Sequence, residues 1–293
     1  GLPHPILSPP RRALRLRIGA AAGLAMNGGA LILVFGLVTG SFLALAAARL
    51  PAGESVLAPA SHCPHCGRPL HFWENLPLLP WLLLRGRCRT CRAFIGWREP
   101  LLELATAAAF YWSWRRHAGG LEFIREAFFL GCLLTLAAAD WQTRQLPDEI
   151  TLGGWATGLV FSLFTAPGWR SALLAGFGAA AALALLGWLY RRLRGREGVG
   201  WGDVKMLGFL GTFLGLRGVL VTIFAASVAG AVAGIVMAAM LALRQRQRGR
   251  SWQRARATAA FWPLPFGVFL AAAAALALPW TPLLWHALLA PPL

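Results

Sequence analysis

Two aspartates stand at the ends of apolar segments, where a carboxylate is chemically informative. Asp140 follows an apolar run over 123–139, and Asp203 precedes another over 204–216. When the apolar runs are counted as membrane crossings, both carboxylates fall at the same membrane face. Two carboxylates at one depth can share a proton, so that one is the base and the other the acid around a water molecule. The pair therefore predicts the chemistry of an aspartic protease.

Each of these carboxylates also has a structural interpretation. Asp203 is suited to cap the helix that begins beside it, because Asp favours helix N-termini. Asp140 has Arg144 one helical turn further on, which would allow an ion pair. Both interpretations stay open for either residue alone, and it is the pairing of the two aspartates that favours catalysis.

Four residues near the aspartates form a candidate supporting motif. Gly200 and Gly202 lack side-chain bulk, which lets a peptide or a neighbouring helix approach closely. Lys205 is the single lysine of the chain, and it either belongs to the site or anchors in lipid headgroups. Asp148 follows a proline and is equally typical of a turn and a helix start.

Four of the five cysteines form two Cys-x-x-Cys pairs: Cys63 with Cys66, and Cys88 with Cys91. Two such pairs are typical of a closed, tetrahedral Zn²⁺ site with a structural role. A redox pair and metal-free thiols remain as alternatives. Cys132 lies inside an apolar run, and we interpret it as a small buried hydrophobic residue. Histidines 62, 65 and 71 lie nearby and are expected at the surface or around the site rather than as ligands.

The composition excludes a soluble enzyme and a disordered chain. Hydrophobic residues make up 57% of the 293 residues and charged residues 13%, and the mean hydropathy is +0.58. A soluble fold of this length has too little interior for that much apolar surface. We therefore predict an all-α polytopic membrane protein. Its eight candidate spans are 30–48, 100–114, 123–139, 150–166, 172–190, 204–216, 219–243 and 263–279.

The basic residues set the predicted orientation. The net charge of +17 is concentrated in stretches 49–99, 140–149, 191–205 and 244–256, which the positive-inside rule places in the cytoplasm. We expect these arginines to meet anionic lipids and not nucleic acid. Four arginines before the first span would then lie outside, against the rule. Either an upstream extension precedes a native start at Met26, or the downstream loops outweigh this arm.

Four regions follow from this pattern. Residues 1–29 are a basic arm, residues 30–48 are the first span, residues 49–99 are a cytoplasmic four-Cys zinc-binding subdomain, and residues 100–293 are a membrane peptidase core. The site formed by the two aspartates would open from this core to the cytoplasm.

Several segments together resemble type IV prepilin peptidases, which are leader peptidases and N-methyltransferases. The matching segments are Gly40-Ser-Phe-Leu with Arg49-Leu-Pro, the two cysteine pairs, Trp73-Glu-Asn-Leu-Pro, Glu99-Pro-Leu-Leu-Glu, Leu146-Pro-Asp, Gly200-Trp-Gly-Asp-Val-Lys and Pro265-Phe-Gly-Val-Phe-Leu. They cover roughly residues 36–271 in order. The resemblance implies a GxGD-type aspartic peptidase of the bacterial inner membrane, with Asp140 and Asp203 as its catalytic pair.

The resemblance further implies the substrates and a second activity. Prepilins and type II secretion pseudopilins would lose a short basic leader, and S-adenosylmethionine would supply a methyl group to the new N-terminal residue. No glycine motif for that methyl donor stands out in the sequence, and the oligomeric state is not predicted.

Three other functions compete with this one. A presenilin-like protease would share the GxGD motif, although the cysteine pairs argue against it. A non-enzymatic scaffold would use the four cysteines to bind a partner of a secretion or pilus assembly system. A proton-coupled transporter would need carboxylates near the middle of the membrane, whereas the span count places these at its boundary.

Overall fold

The computed structural model describes residues 11–247 and 264–289, with side chains described over 28–244 and 264–279. This part of the chain is built from helices, and its only β pairing is two isolated bridges. The prediction of an all-α fold is confirmed. The helices are α1 (Arg11–Arg49), α2 (Leu79–Leu83), α3 (Arg98–His117), α4 (Gly120–Thr143), α5 (Asp148–Phe161), α6 (Trp169–Arg194), α7 (Trp201–Gln247) and α8 (Phe266–Leu289).

Each predicted apolar run overlaps a helix. The run 150–166 extends beyond the end of α5 at Phe161, and residue 263 of the last run lies outside the described residues. Among the described residues, three stretches are long and apolar enough to cross a bilayer, namely Gly28–Ala52, Trp169–Arg194 and Trp201–Arg244, and Phe266–Pro279 is a shorter apolar helix. The membrane character of the chain is thereby supported, while the count of eight crossings stays a prediction. Helix α1 runs from Arg11 through the expected arm into the first span without a break, and residues 1–10 lie outside the described residues.

Small residues let α1 pack tightly against α3. A Cβ atom built on Gly36 would lie 2.5 Å from the Cα of Ala107, and one built on Gly40 would lie 2.6 Å from the Cα of Glu103. Helices in a membrane gain no hydrophobic driving force from lipid, so close backbone contact of this kind supplies much of their attraction. The contact fixes the first helix against the third.

Helix α7 is interrupted at Gly215, whose φ of 68° and ψ of 179° are not helical. We expected two spans separated near residues 217–218, and the break lies two residues earlier. Gly215 packs against Pro167 and Ser171 at the start of α6. Further along α7, Gly234 packs against Leu264, which lines the same pocket as Asp203. The chain therefore returns after Gly215 toward the end of the bundle from which it came.

A buried arginine supports this break. Arg125 of α4 is 8% exposed, and its guanidinium donates a hydrogen bond to the backbone carbonyl of Phe213. That carbonyl belongs to the last turn before Gly215, where a helix leaves its carbonyls without helical partners. A cation at the end of a helix also meets the negative end of the helix dipole. The position of Arg125 inside a predicted span thus has a structural role.

Aromatic packing joins α4 to the first part of α7. The ring centroids of Phe129 and Phe213 are 4.7 Å apart, and those of Phe129 and Phe209 are 5.2 Å apart. All three rings are almost fully buried, together with Leu270 of α8. Because these helices are locked together along their length, the side chains at their common end keep fixed relative positions. Asp140 and Asp203 lie at that end.

The segment between α1 and α3 carries the four cysteines. It is tied to the bundle by Glu103 of α3, whose carboxylate accepts a hydrogen bond from the backbone N–H of Leu78 at 2.8 Å. Leu78 has a φ of 57° and directly precedes α2. The carboxylate therefore satisfies a donor at the beginning of α2 while it holds this segment against the membrane helices.

We predict that Gly36→Ala destabilises the protein and that Gly178→Ala does not. The new methyl group at position 36 has no space against α3, so overpacking costs about 1–3 kcal/mol. A Cβ on Gly178 meets nothing within 4 Å, which makes it a matched control on another membrane helix. Thermal unfolding of both variants in detergent measures the difference. Equal melting temperatures would contradict the close α1–α3 contact.

Candidate active site

Asp140 lies on the last turns of α4. The helix ends at Thr143, and Arg144 adopts the left-handed conformation that commonly terminates a helix, with its N–H donating to the carbonyl of Asp140 at 2.9 Å. The Asp140 side chain is buried, with 6% of the residue exposed. No ion pair joins the side chains of Asp140 and Arg144 within the described residues. The structure therefore does not support the ion pair as the reason for Asp140.

The first turn of α8 holds the Asp140 carboxylate. Its Oδ2 atom accepts a hydrogen bond from the backbone N–H of Val268 at 3.1 Å. The backbone of Gly267 contacts the same carboxyl group, and a Cβ built on Gly267 would lie 2.9 Å from Oδ2. The first N–H groups of a helix lack helical partners, so they are free to bind a carboxylate. Gly267 is required here because any larger residue would displace Asp140.

Asp203 lies in the first turn of α7, a position near the helix N-terminus that aspartate favours. A negative charge at this position is stabilised by the helix dipole. A Cβ built on Gly200 would lie 3.4 Å from its Oδ2 atom, so the carboxylate folds back over the turn before the helix. Gly202 faces Leu146 at similarly close range. The two glycines of the supporting motif therefore lie where the chain passes close to the carboxylate and to the α4–α5 connection.

Asp140 and Asp203 line one open pocket of about 710 Å³. The structure thus brings together two residues that are far apart in sequence, as the span count predicts. The pocket walls also include Gly200, Gly202, Asp148 and Lys205, so every residue of the predicted supporting motif is present.

Lys205 and Asp148 form an ion pair at the edge of this pocket. The Lys205 Nζ atom lies 2.6 Å from Oδ1 and 2.7 Å from Oδ2 of Asp148. Asp148 is the first residue of α5 after Pro147, so the helix-start interpretation is confirmed. The Asp148 side chain is 56% exposed, and an exposed pair of this kind contributes about 0–1 kcal/mol. Its effect is to join α5 to α7 beside the aspartates.

Two parts of this pocket were not anticipated from sequence. Leu50, Pro51 and Gly53 line it from the turn that follows α1, and Phe266 lines it from the start of α8. The resemblance includes the Pro265-Phe-Gly segment but gives it no role. A glycine two residues after a proline, at the beginning of an apolar run, is a signal of close backbone approach that would have indicated this contact.

The four paired cysteines come together. Their Sγ atoms all lie within 4.8 Å of one another, and the Sγ atoms of Cys63 and Cys91 are 3.8 Å apart. Zn–S bonds of about 2.3 Å in a tetrahedron require sulfur separations near this value. The arrangement therefore fits a zinc ion. Within the described part of the chain, the three nearby histidines are not members of the cluster, as we expected.

Both cysteine pairs have the same backbone shape. In the first, Cys63 N–H donates to the carbonyl of Arg68, and Gly67 N–H donates to the carbonyl of Cys63. In the second, Cys88 N–H and Arg92 N–H make the equivalent bonds, and Arg92 has the same positive φ as Gly67. This shared turn directs backbone N–H groups at the thiols. Hydrogen bonds from Cys91 and Thr90 lower the pKa of the Cys88 thiol to about 6, which favours the thiolate that metals bind.

An ion pair braces the cysteine cluster. The Arg68 guanidinium donates to both carboxylate oxygens of Glu74, at 2.8 and 3.0 Å. These hydrogen bonds lower the pKa of Glu74 to about 2 and raise that of Arg68, which also interacts with Cys88. Glu74 additionally accepts a hydrogen bond from the backbone N–H of His71. The network connects the two cysteine pairs through the intervening segment.

Cys132 is the one cysteine outside the cluster. It is 9% exposed within the core, so the interpretation as a buried hydrophobic residue is confirmed.

Known families match both halves of this arrangement. Residues 127–235, which contain both aspartates, match the type IV leader peptidase family. Residues 34–117, which contain the four cysteines, match the bacterial Peptidase A24 N-terminal domain. The chain therefore belongs to the type IV leader peptidase family.

Individual relatives agree along most of the sequence. The chain is 37% identical over 279 residues to a prepilin leader peptidase/N-methyltransferase of Burkholderia pseudomallei, covering 84% of this chain and 83% of that one. It is 32% identical to proteins of the same name from Aeromonas hydrophila, covering 91% and 96%, and from Pseudomonas aeruginosa, covering 85% and 89%. No solved structure matches the chain significantly.

We predict that Gly267→Ala lowers peptidase activity because the added methyl group displaces the Asp140 carboxylate. The loss should be about tenfold or more, since small displacements of catalytic groups have effects of that size. Gly153→Ala is the control, because a Cβ there meets nothing within 4 Å. Cleavage rates and melting temperatures are measured together. If Gly267→Ala retains full activity, the close contact does not constrain the carboxylate.

Proposed function

We propose that this protein is a membrane aspartic endopeptidase that removes the leader from type IV prepilins or type II secretion pseudopilins, and then methylates the new N-terminus. The names of the relatives support both activities. The observation that carries the proposal is the single pocket lined by Asp140 and Asp203. A non-enzymatic scaffold does not require two carboxylates in one open pocket, and a proton-coupled transporter would need them near the middle of the membrane rather than at one end of the bundle.

The catalytic roles of the two aspartates follow from their surroundings. A water molecule between them would be deprotonated by the ionised carboxylate, while the protonated one polarises the scissile carbonyl and then protonates the leaving amine. The ionised role suits Asp140, because its Oδ2 atom already accepts a backbone N–H. Asp203 then acts as the acid. The exposed edge of the pocket leaves room for an extended peptide.

The membrane arrangement is proposed on the same basis. We place the pocket at the cytoplasmic face of the bacterial inner membrane, because the basic stretches 49–99 and 191–205 both contribute residues to its lining. Eight crossings result if α7 counts twice across its break at Gly215. The arginines at this face suit anionic lipid headgroups.

The four-Cys cluster is proposed to hold a structural Zn²⁺ ion. All four ligands are protein thiolates, which leaves no open coordination position for catalysis. The ion would fix the two turns around Cys63 and Cys88 and so stiffen the segment that the Glu103 carboxylate ties to α3. Binding to ligands that exist together only in the folded chain contributes directly to folding free energy.

For methylation, S-adenosylmethionine would supply an electrophilic methyl group. The amine nitrogen of the cleaved chain forms the new N–CH₃ bond with its lone pair while the methyl–sulfur bond breaks. The electron pair of that bond stays on sulfur, and a proton leaves the nitrogen for water.

We predict that Asp140→Asn and Asp203→Asn each abolish leader cleavage. Each change keeps the side-chain shape but removes the proton transfer, which is worth about 10²–10⁴-fold in rate. Glu197→Gln is the control, since Glu197 is an exposed carboxylate shortly before α7. Purified variants are incubated with a prepilin and the products are identified by mass spectrometry. Cleavage by both aspartate variants at the unmodified rate would show that other residues carry the reaction.

We predict that Cys63→Ser and Cys88→Ser lose bound zinc, whereas Cys132→Ala keeps about one ion per chain. Each serine replaces a thiolate with a poor zinc ligand, so the remaining three cysteines hold the metal weakly. Elemental analysis of the purified variants measures the metal content. A full zinc content in both serine variants would rule out the four-Cys site. Chelator treatment of the unmodified protein should lower its melting temperature.

A further inference from the structure

A second cavity, of about 470 Å³, lies between the cysteine-containing segment and helices α1, α3 and α4. We call it the subdomain cavity. Its volume falls within the range of about 300–1,000 Å³ typical of small-molecule sites. Residues of α1, α3, α4 and the cysteine-containing segment line the cavity. They include Ala48, Trp81, Arg98, Glu99, Glu103 and Gln142.

Two of its charged residues make no side-chain hydrogen bond or ion pair within the described part of the chain. Glu103 is already occupied by the Leu78 N–H. Arg98 and Glu99, by contrast, make no hydrogen bond or ion pair with any described residue. Both residues are exposed and both line the cavity, so a guanidinium and a carboxylate are available there to a ligand that carries both a carboxylate and a positive charge.

The cavity also has an ordered aromatic wall. Trp81 donates its indole N–H to the carbonyl of Gly96 at 2.7 Å, and its ring centroid lies 4.2 Å from that of Trp97. The tryptophan is therefore held in place before any ligand arrives. A flat aromatic group such as a purine packs favourably on such a surface.

We propose that the subdomain cavity is the binding site for S-adenosylmethionine. Arg98 would face its carboxylate, Glu99 its positively charged part, and Trp81 its adenine. The inference rests on the proposed methylation, and it adds a location and residues for the methyl donor. The mixed charge of the cavity favours a zwitterion of this kind over a simple anion or a lipid tail.

The position of the cavity relative to the aspartates supports this assignment. Asp140 and Arg144 line the aspartate pocket, whereas Gln142 lines the subdomain cavity. Residues two apart on a helix point to nearly opposite sides, while residues four apart share a side. The end of α4 therefore separates the two spaces by one helix width, about 10 Å. The amine released by cleavage has only to pass this end to reach the methyl donor.

The test measures binding and not only activity. The purified full-length protein in nanodiscs is titrated with S-adenosylmethionine by calorimetry. Glu99→Gln should weaken binding about tenfold or more, because it removes a charge-assisted interaction. Glu54→Gln is the matched control, since Glu54 is an exposed carboxylate that lines neither space. An unchanged dissociation constant in Glu99→Gln would overturn the assignment.

A second variant tests the space itself. Ala48→Phe places a ring into the cavity without changing a charge and should also weaken binding about tenfold. Leader cleavage by each variant shows that the protein is folded. If the unmodified protein cleaves a prepilin but neither binds the donor nor methylates the product, the proposed methylation fails. If it does both and the two variants bind as well as it does, only the location is wrong.

Discussion

The active site depends on one contact, between the Asp140 carboxylate and the backbone at the start of α8. A carboxylate that is almost fully buried is costly unless hydrogen bonds compensate for its lost hydration. Here the Val268 N–H supplies one, and Gly267 leaves the space for it. The contact joins α4 to α8 at the end of the bundle where α7 begins. It therefore sets where Asp140 lies relative to Asp203.

The rest of the bundle keeps that contact in register. Phe129, Phe209 and Phe213 stack between α4 and α7, and the Arg125 guanidinium binds the carbonyl that the break in α7 leaves free. These interactions lie away from the aspartates. They fix the two helices along their axes, so that the carboxylates at their common end are held rigidly, as a site for proton transfer requires.

Much of this arrangement could be predicted from the sequence. The apolar runs predicted the helices, and the span count predicted that Asp140 and Asp203 lie close together, as their common pocket shows. Their shared membrane face stays a prediction. The cysteine spacing predicted the cluster, because each pair needs only a local turn and four thiols at such spacing have few other uses.

The contacts made by α8 could not be predicted in this way. The hydrogen bond from the Val268 N–H and the close approach of Gly267 leave no pattern in side-chain type, and both contacts reach Asp140 across well over a hundred residues of sequence. The ion pair of Lys205 with Asp148 was missed for a similar reason, since α5 and α7 are separate in the chain. The break in α7 was predicted near residues 217–218 and lies at Gly215, because the apolar pattern continues through the break and does not mark its position.

The position of that break bears on the surrounding lipid. The stretch of α7 before Gly215 covers only residues 201–214, which at 1.5 Å per residue is about 21 Å long. The hydrocarbon core of a bilayer is about 30 Å thick. The membrane beside this short helix has to thin, or the turn at Gly215 has to lie within the membrane against its protein neighbours. Where the bilayer thins, a substrate anchored by its own transmembrane helix needs less displacement to bring its scissile bond to the aspartates.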